Sequence, residues 1–269
     1  MGVKICLDAG HYGKYNQSPA NKSYYESEMV WKLHLLLKKE LEEYGISVVT
    51  TRNEQSVDRG VYSRGIASKG CDFFISLHSN AVGNRTDESV DYPVAYVLLN
   101  GTSSDLGLKL AKVVQNTIGT KQPGRIATRR SSKGEYYGVL RGANDVSTPA
   151  IILEHSFHTH TNATNWLLND ANLKRLACAE AECIAEHYGL QKISDTLNFK
   201  PYTVRVSISN LNIRKGPGTN YGNIGKYTGK SVFTIVEEAE GKGASKWGLL
   251  KSYSEHRDGW ISLDYTEKI

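Results

Sequence analysis

The first 190 residues alternate between short apolar runs and longer segments in which apolar residues recur at helical spacing. The runs predict strands at residues 3–7, 46–51, 73–77, 94–99 and 150–153. The spaced segments predict helices at residues 26–44, 57–68, 103–118 and 165–188, the last with a break near Asp170. This alternation predicts an α/β fold, with a mostly parallel twisted sheet flanked by helices.

The pattern changes after Gly189, where the helical spacing ends. Residues 191–201 have the composition of a linker. From residue 202 onward, short β-like runs alternate with turns that contain glycine and proline, which is typical of a small all-β barrel. The sequence therefore predicts a first domain at residues 1–190, a linker at 191–201 and a second domain at 202–269.

Composition is that of an ordinary globular protein, with 39% hydrophobic and 23% charged residues. The net charge of +5 is too small to argue for nucleic acid, but it favours an anionic surface such as a bacterial envelope polymer. No apolar run is long enough to predict membrane insertion, and the start lacks the pattern of a secretory signal. The four cysteines form no C-x-x-C pair and are predicted to be free thiols in a reducing cytoplasm.

Three of the predicted strands end on an ionisable side chain. LDAGH places His11 after the first strand, ISLHSN places His78 at the end of the third, and IILEH places Glu154 at the end of the fifth. Because the carboxyl ends of parallel strands share one edge of the sheet, where ligands bind, we expect these groups to meet in one crevice. Core packing gives no reason for polar residues there, so the pattern predicts a functional site.

Two histidines in one crevice indicate a metal, and catalytic zinc usually has three protein ligands. The candidate for the third ligand is Glu26, at the start of the first long helix. Two alternatives stay open at this point. Ser23-x-x-Glu26 is a well-formed capping box, in which Glu26 only satisfies a backbone N–H, and Glu28 is a rival ligand.

The segment EHSFHTH adds three histidines, His155, His158 and His160. Their spacing differs from the i, i+4 histidines of the helical H-E-x-x-H zinc motif. Glu154 follows the apolar run most directly, so we expect Glu154 to enter the crevice. The three histidines are expected at its rim.

These segments together resemble the zinc-dependent N-acetylmuramoyl-L-alanine amidases, which cleave peptidoglycan. The resemblance rests on DAGH, YYESEMVWKL, VVTTR, ISLHSNA and TPAIILEHSFHT, which occur in this order across nearly all of residues 1–189. It implies that one zinc ion is bound by His11, Glu26 and His78. It also implies that Glu154 is the catalytic glutamate.

The resemblance further implies the substrate, the amide between N-acetylmuramic acid and L-alanine in bacterial peptidoglycan. Zinc would activate water, and Glu154 would take its proton and pass it to the leaving nitrogen. A zinc peptidase acting within the stem peptide, or a non-catalytic wall-binding protein, are the alternatives. The basic segment at residues 121–135 is expected to be a solvated loop, with contacts to stem-peptide carboxylates as its alternative role.

The chain departs from the family pattern at three places. Tyr12-Gly13 stands where the family usually has a glycine pair. Ser156 replaces a glycine after the catalytic glutamate, and His160 stands where an asparagine is common. These changes concern contacts at the edge of the substrate rather than the metal.

The second domain resembles bacterial Src-homology-3-like (SH3-like) barrels, which commonly tether hydrolases to the cell wall. The resemblance rests on LNIRKGPGTNYGNIGKYTGK and on the late Gly259-Trp260. Candidate contacts to the wall are the aromatic residues Trp247, Tyr253, Trp260 and Tyr265. Each of them is equally suited to the domain core.

An amidase, a wall-binding domain and the lack of a secretory signal together look like a phage endolysin. We therefore expect the protein in the cytoplasm of the producing cell, from which it acts on the wall after release. A bacterial autolysin exported by another route and a mother-cell lysis enzyme are the alternatives.

Overall fold

The computed structural model describes residues 2–132, 134–193, 199–251 and 258–269. The chain divides into two compact units, Met1–Lys192 and Ile193–Ile269. Residues 194–198 of the predicted linker lie outside the described residues. In the described parts of the chain, none of the helices has the length and apolar character that crossing a membrane requires.

The first unit is built on a six-stranded sheet with the strand order β2-β1-β3-β8-β4-β5. Its elements are β1 (Lys4–Ala9), α1 (Glu26–Glu43), β2 (Ser47–Thr50), α2 (Val61–Ile66), β3 (Phe73–Asn80), β4 (Val94–Val97), α3 (Ser104–Ile118), β5 (Arg125–Ala127), β6 (Arg130–Ser131), β7 (Gly134–Glu135), α4 (Gly138–Asp145), β8 (Ala150–Phe157), α5 (Thr161–Leu167) and α6 (Asp170–His187). Strand β8 pairs parallel with β3 and antiparallel with β4. The predicted mostly parallel sheet flanked by helices is thereby confirmed.

Side chains of β1, β3 and β8 alternate between the two faces of the sheet. One set, which includes Ile75, enters the larger core together with α1, α3 and α6. The other set, which includes Phe74 and Ile152, packs against α4. Farther along the same face this second set becomes polar at His78 and Glu154, which are register partners across β3 and β8. The alternation that builds the core therefore also directs these two groups to one side.

Two regions of the first unit differ from the sequence prediction. Helix α4 lies where no helix is predicted. Its glycines lower the intrinsic helix propensity but permit close helix packing, since a Cβ at Gly142 would lie 2.2 Å from the carbonyl oxygen of Tyr62 in α2. The segment at residues 121–135, expected to be a loop, contains the edge strand β5 and the two-stranded ribbon of β6 and β7.

The second unit contains a seven-stranded sheet with the order β11-β10-β14-β13-β12-β9-β15. Its elements are β9 (Tyr202–Val206), β10 (Asn212–Arg214), β11 (Asn223–Tyr227), β12 (Val232–Ala239), β13 (Trp247–Lys251), β14 (Gly259–Ser262), the 3₁₀ turn Leu263–Tyr265 and β15 (Thr266–Lys268). A separate core that includes Val204, Ile235 and Leu250 holds it together. The unit is all-β in the residues described, apart from this turn.

The aromatic candidates for wall contacts divide by exposure. Trp247 is only 2% exposed, so it is a buried residue of the unit and not a surface contact. Trp260 is half-buried and Tyr265 is exposed. Tyr253 lies outside the described residues. Of the three that the structure describes, Trp260 and Tyr265 have the exposed surface that a wall contact needs.

Candidate active site

The side chains of His11, Glu26 and His78 meet at the carboxyl end of the sheet. His11 Nε2 lies 3.2 Å from Glu26 Oε2, and His78 Nδ1 lies 2.9 Å from Glu26 Oε1. One donor atom from each residue lies within 4.8 Å of the other two. Ligand atoms around a tetrahedral zinc ion are about 3.4 Å apart, given bonds of about 2.1 Å. The cluster therefore has the donor atoms and spacing of a site for one divalent ion.

Glu26 begins α1 but does not form the capping box, because no side chain caps the start of this helix. Its carboxylate instead accepts hydrogen bonds from the Asn16 side-chain amide (2.6 Å) and from the Ser79 backbone N–H (3.0 Å). The rival residue Glu28 lies outside the cluster, where it pairs with Lys14. The geometry thus favours Glu26 over Glu28 as the third member of the cluster.

The side chain of Glu26 is in the charge state that a metal ligand requires. Burial opposes the charged carboxylate, but hydrogen bonds and positive charge from His11 and His78 outweigh burial and hold the pKa of Glu26 well below its usual range. A metal ligand must be deprotonated. Glu26 is therefore ionised at neutral pH and ready to bind a cation.

The turn that carries His11 is conformationally constrained. His11 has a φ of 58°, in the left-handed region that few residues other than glycine adopt. Buried Arg52 and Arg64 donate to backbone carbonyl oxygens of this turn and hold it in place. Gly10 is required for a different reason, since a Cβ there would lie 2.3 Å from the ring of His78. The two histidines can approach because this position lacks a side chain.

A chain of hydrogen bonds fixes the orientation of His78. Its Nε2 lies 3.1 Å from Ser76 Oγ, and this hydroxyl donates to Asp8 Oδ2 at 2.7 Å. Thr51 donates to the other oxygen of Asp8 at 2.5 Å. Because Ser76 gives its proton to Asp8, it accepts from His78 Nε2–H, so Nδ1 of His78 is the ring nitrogen that faces Glu26 and is available to a metal ion.

Glu154 lies beside the cluster on the neighbouring strand, as the register partner of His78. It lines a cleft of about 580 Å³ together with His11, Glu26 and His78. Its Oε2 is buried and has no hydrogen-bond partner among the described residues. Desolvation, followed by the negative charge of Glu26, raises the pKa of Glu154 well above its usual value. A carboxylate with a free oxygen at such a site is suited to accept and return a proton.

The family model Amidase_3, described as N-acetylmuramoyl-L-alanine amidase, matches residues 5–186. The chain belongs to this amidase family. The matched range contains His11, Glu26, His78 and Glu154, so the whole candidate site lies in the part of the chain that defines the family.

Two relatives extend this finding. The amidase chain is 27% identical to the N-acetylmuramoyl-L-alanine amidase CwlM of Bacillus licheniformis over 193 residues, which is 71% of this chain and 70% of the relative. It is also 27% identical to the sporulation-specific N-acetylmuramoyl-L-alanine amidase of Bacillus subtilis (strain 168) over 202 residues, 74% of this chain and 73% of the relative. Among solved structures, Cwp6 from Clostridium difficile shares the fold with a TM-score of 0.61 at 22% identity, over 69% of this chain and 29% of that chain.

The three histidines of the amidase's EHSFHTH segment are buried, and the predicted place at the rim is wrong for His155 and His160, which do not line the cleft. His155 bridges the carbonyl oxygen of His78 (2.8 Å) and the carboxylate of Glu180 (2.7 Å) beneath the site. His158 lines the cleft. His160 caps α5 through its side chain, a task that asparagine also performs well. The histidine at position 160 thus has a local structural role, the capping of α5.

The amidase departs from its family at Ser156 without losing the local backbone. The register between β3 and β8 shifts by one residue beyond the pair His78–Glu154, which forms a β-bulge. Ser156 lies in this bulge with a φ of 65°, a conformation that glycine adopts freely. Its hydroxyl donates to buried Asp91 at 2.6 Å, and this bond helps to hold the serine in place.

Tyr136 and Tyr137 form one wall of the amidase cleft, although no sequence motif pointed to them. They follow β7, at the end of the basic segment that was expected to be a loop. The adjacent pair of aromatic residues was the available signal. Their position becomes evident only from the fold, because they are distant in sequence from every strand end that carries a site residue.

Proposed function

We propose that this protein is a zinc-dependent hydrolase of the amide between N-acetylmuramic acid and L-alanine in bacterial peptidoglycan. The observation that carries the proposal is the convergence of His11, Glu26 and His78 beside Glu154 in one cleft. Membership of the amidase family supports the substrate. Two imidazoles and one carboxylate are also a frequent donor set of catalytic zinc.

In this mechanism His11 Nε2, His78 Nδ1 and the Glu26 carboxylate would hold the zinc ion. A zinc ion held there would lower the pKa of water to about 7 and would polarise the substrate carbonyl. Glu154 accepts the proton of the attacking water as the new C–O bond forms. It then gives this proton to the alanine nitrogen as the C–N bond breaks, which leaves a lactyl carboxylate and a free amine.

Treatment of isolated bacterial walls with the full chain tests the reaction. The amidase releases new L-alanine amino termini and leaves the glycan intact, and a chelator abolishes the release. New amino termini from other residues of the stem peptide would instead support the zinc peptidase. Binding to walls without any hydrolysis, with zinc supplied, would support the non-catalytic protein.

The hydrogen-bond chain behind His78 predicts an effect on zinc affinity. Ser76→Ala removes the acceptor of His78 Nε2–H, so the ring loses the contact that selects its tautomer. We expect zinc to bind about 10- to 100-fold more weakly, as is typical when a residue that orients a metal ligand is removed. Competition with a chromogenic chelator measures this affinity directly.

The control for this experiment is Ser63→Ala, an exposed serine of α2 outside the site. It should bind zinc with wild-type affinity. At saturating zinc, Ser76→Ala should recover most of its turnover, since Glu154 is unchanged. Wild-type zinc affinity in Ser76→Ala would remove the proposed role of Ser76 and Asp8.

We further propose that the second unit is an SH3-like domain that binds the bacterial wall. Its separate core and seven-stranded sheet support an independent module. Deletion of residues 193–269 should leave hydrolysis of soluble fragments within about twofold, while lysis of intact walls slows by about tenfold or more because the catalytic unit is no longer concentrated there. Cosedimentation with walls measures the binding, and unchanged cosedimentation of the shortened chain would contradict this role.

We propose a phage endolysin as the biological setting, acting on the wall after release from the producing cell. Lysis of a mother cell is the second candidate, because one relative is a sporulation-specific amidase. Both settings use the same chemistry. The neighbouring genes, for phage lysis or for sporulation, distinguish them.

A further inference from the structure

The ribbon of β6 and β7 stands at the edge of the cleft and is anchored at its base. Glu135 is buried, its side chain accepts a hydrogen bond from the backbone N–H of Leu99, and its carbonyl oxygen accepts one from Arg141. The ribbon continues by one pair, since the N–H of Tyr136 donates to the carbonyl oxygen of Arg129 at 3.1 Å. The backbone of Arg129 is therefore held at a defined place beside Tyr136.

The guanidinium of Arg129 lies against the two tyrosines that form this wall of the cleft. Its guanidinium carbon is 3.7 Å from the centre of the Tyr136 ring and 5.9 Å from that of Tyr137. The Tyr137 hydroxyl is also a hydrogen-bond partner of Arg129. Both tyrosines line the cleft that contains Glu154. A cation is thus held beside the cleft by two neutral aromatic residues of its wall.

The charge of Arg129 is available to a ligand. None of the ion pairs found among the described residues includes it, and its side chain is exposed. Arg52 and Arg64, deeper in the unit, differ in this respect because their guanidinium groups donate to backbone carbonyl oxygens. A guanidinium stacked on a ring still presents its N–H edge, which suits a planar carboxylate.

The opposite side of the cluster is less suited to an anion. A second hollow of about 360 Å³ there contains Asp8 and Asp58. Its arginines are engaged within the protein: Arg64 lies 3.8 Å from Asp8 and 3.6 Å from Asp58, and Arg59 donates to a backbone carbonyl oxygen. Among the described residues, this hollow therefore lacks an arginine without an ion pair or backbone acceptor, whereas Arg129 beside the cleft is in none of the ion pairs found.

We propose that Arg129 recognises a carboxylate of the stem peptide and so places the peptide, not the glycan, along the Tyr136 wall. This inference rests on the proposed function, in which the scissile amide joins a peptide that bears carboxylates to an uncharged sugar. Arg129 would act on binding and specificity. The chemical step stays with Glu154.

Binding to zinc-loaded, full-length Glu154→Gln chain tests the inference without turnover. The probes are two soluble muropeptides that differ at one stem residue, which has a free α-carboxylate in one and a carboxamide in the other. Arg129→Ala should weaken binding of the carboxylate peptide by about tenfold, the size expected for a lost charge-assisted hydrogen bond, and leave the carboxamide peptide unchanged. Arg129→Lys should bind the carboxylate peptide with an affinity between those of the parent and Arg129→Ala, since lysine keeps the charge but lacks the planar guanidinium group.

Arg130→Ala is the matched control, because it removes the same charge from the next residue and should bind both peptides as the parent does. If Arg129→Ala weakened the binding of both peptides equally, Arg129 would only hold the tyrosines of the cleft in place, and the inference would be overturned. No binding of either peptide by the parent chain would overturn it as well. Cleavage by the wild-type chain is measured separately on the same peptides, so a failure of the amidase reaction is recognised independently.

Discussion

Glu154→Gln is expected to slow hydrolysis by about 10²-fold or more, with zinc still bound at about one ion per chain. Glutamine has the size of glutamate but cannot take a proton from water. Glu154 faces the cleft with an oxygen that no described residue bonds, so the exchange disturbs few contacts. The measurement is kcat on a soluble muropeptide together with zinc content of the same preparation.

The matched control is Glu28→Gln, which removes a partly exposed carboxylate from the first turn of α1. It should hydrolyse the substrate at the wild-type rate. A Glu154→Gln chain with near-wild-type kcat would show that another group moves the proton. Loss of zinc in this variant would instead place Glu154 among the ligands.

The sequence could predict those site residues whose positions follow from the end of a strand and from the alternation of side chains between the two faces of the sheet. His78 and Glu154 each follow an apolar run, and neighbouring parallel strands bring such positions together. The sequence alone could not assign Glu26 to the site, because an acidic residue at the start of a helix can also be a helix cap with no metal involved. Only the three-dimensional contacts of its carboxylate with Asn16 and Ser79 distinguish a cluster member from a cap.

The remaining features depend on contacts between residues distant in sequence, which local sequence patterns do not specify. His155 was expected at the rim, yet its buried partner Glu180 on α6 holds it inside. Helix α4 was not predicted from the sequence, and its Gly142 lets two helices touch. In both places a long-range neighbour decides the outcome over the local propensity of the residue.

His78→Ala is expected to remove zinc and activity together. Two protein ligands are left, and the variant should contain far less than the one zinc per chain expected of the wild type, with hydrolysis below detection. Metal analysis after dialysis measures the loss, and circular dichroism checks that the sheet is retained. His187→Ala, a half-buried histidine near the end of α6, is the control and should keep both zinc and activity.

The comparison of His78→Ala with Glu154→Gln separates the two roles. Both variants lose activity, but only the ligand variant loses zinc, because His78 Nδ1 lies in the donor cluster while Glu154 lies beside it. Excess zinc should not restore His78→Ala, since an alanine offers no donor atom. If His78→Ala still bound one zinc ion per chain, the cluster of His11, Glu26 and His78 would not be the metal centre. The hydrolytic mechanism proposed for Glu154 would then lose its basis.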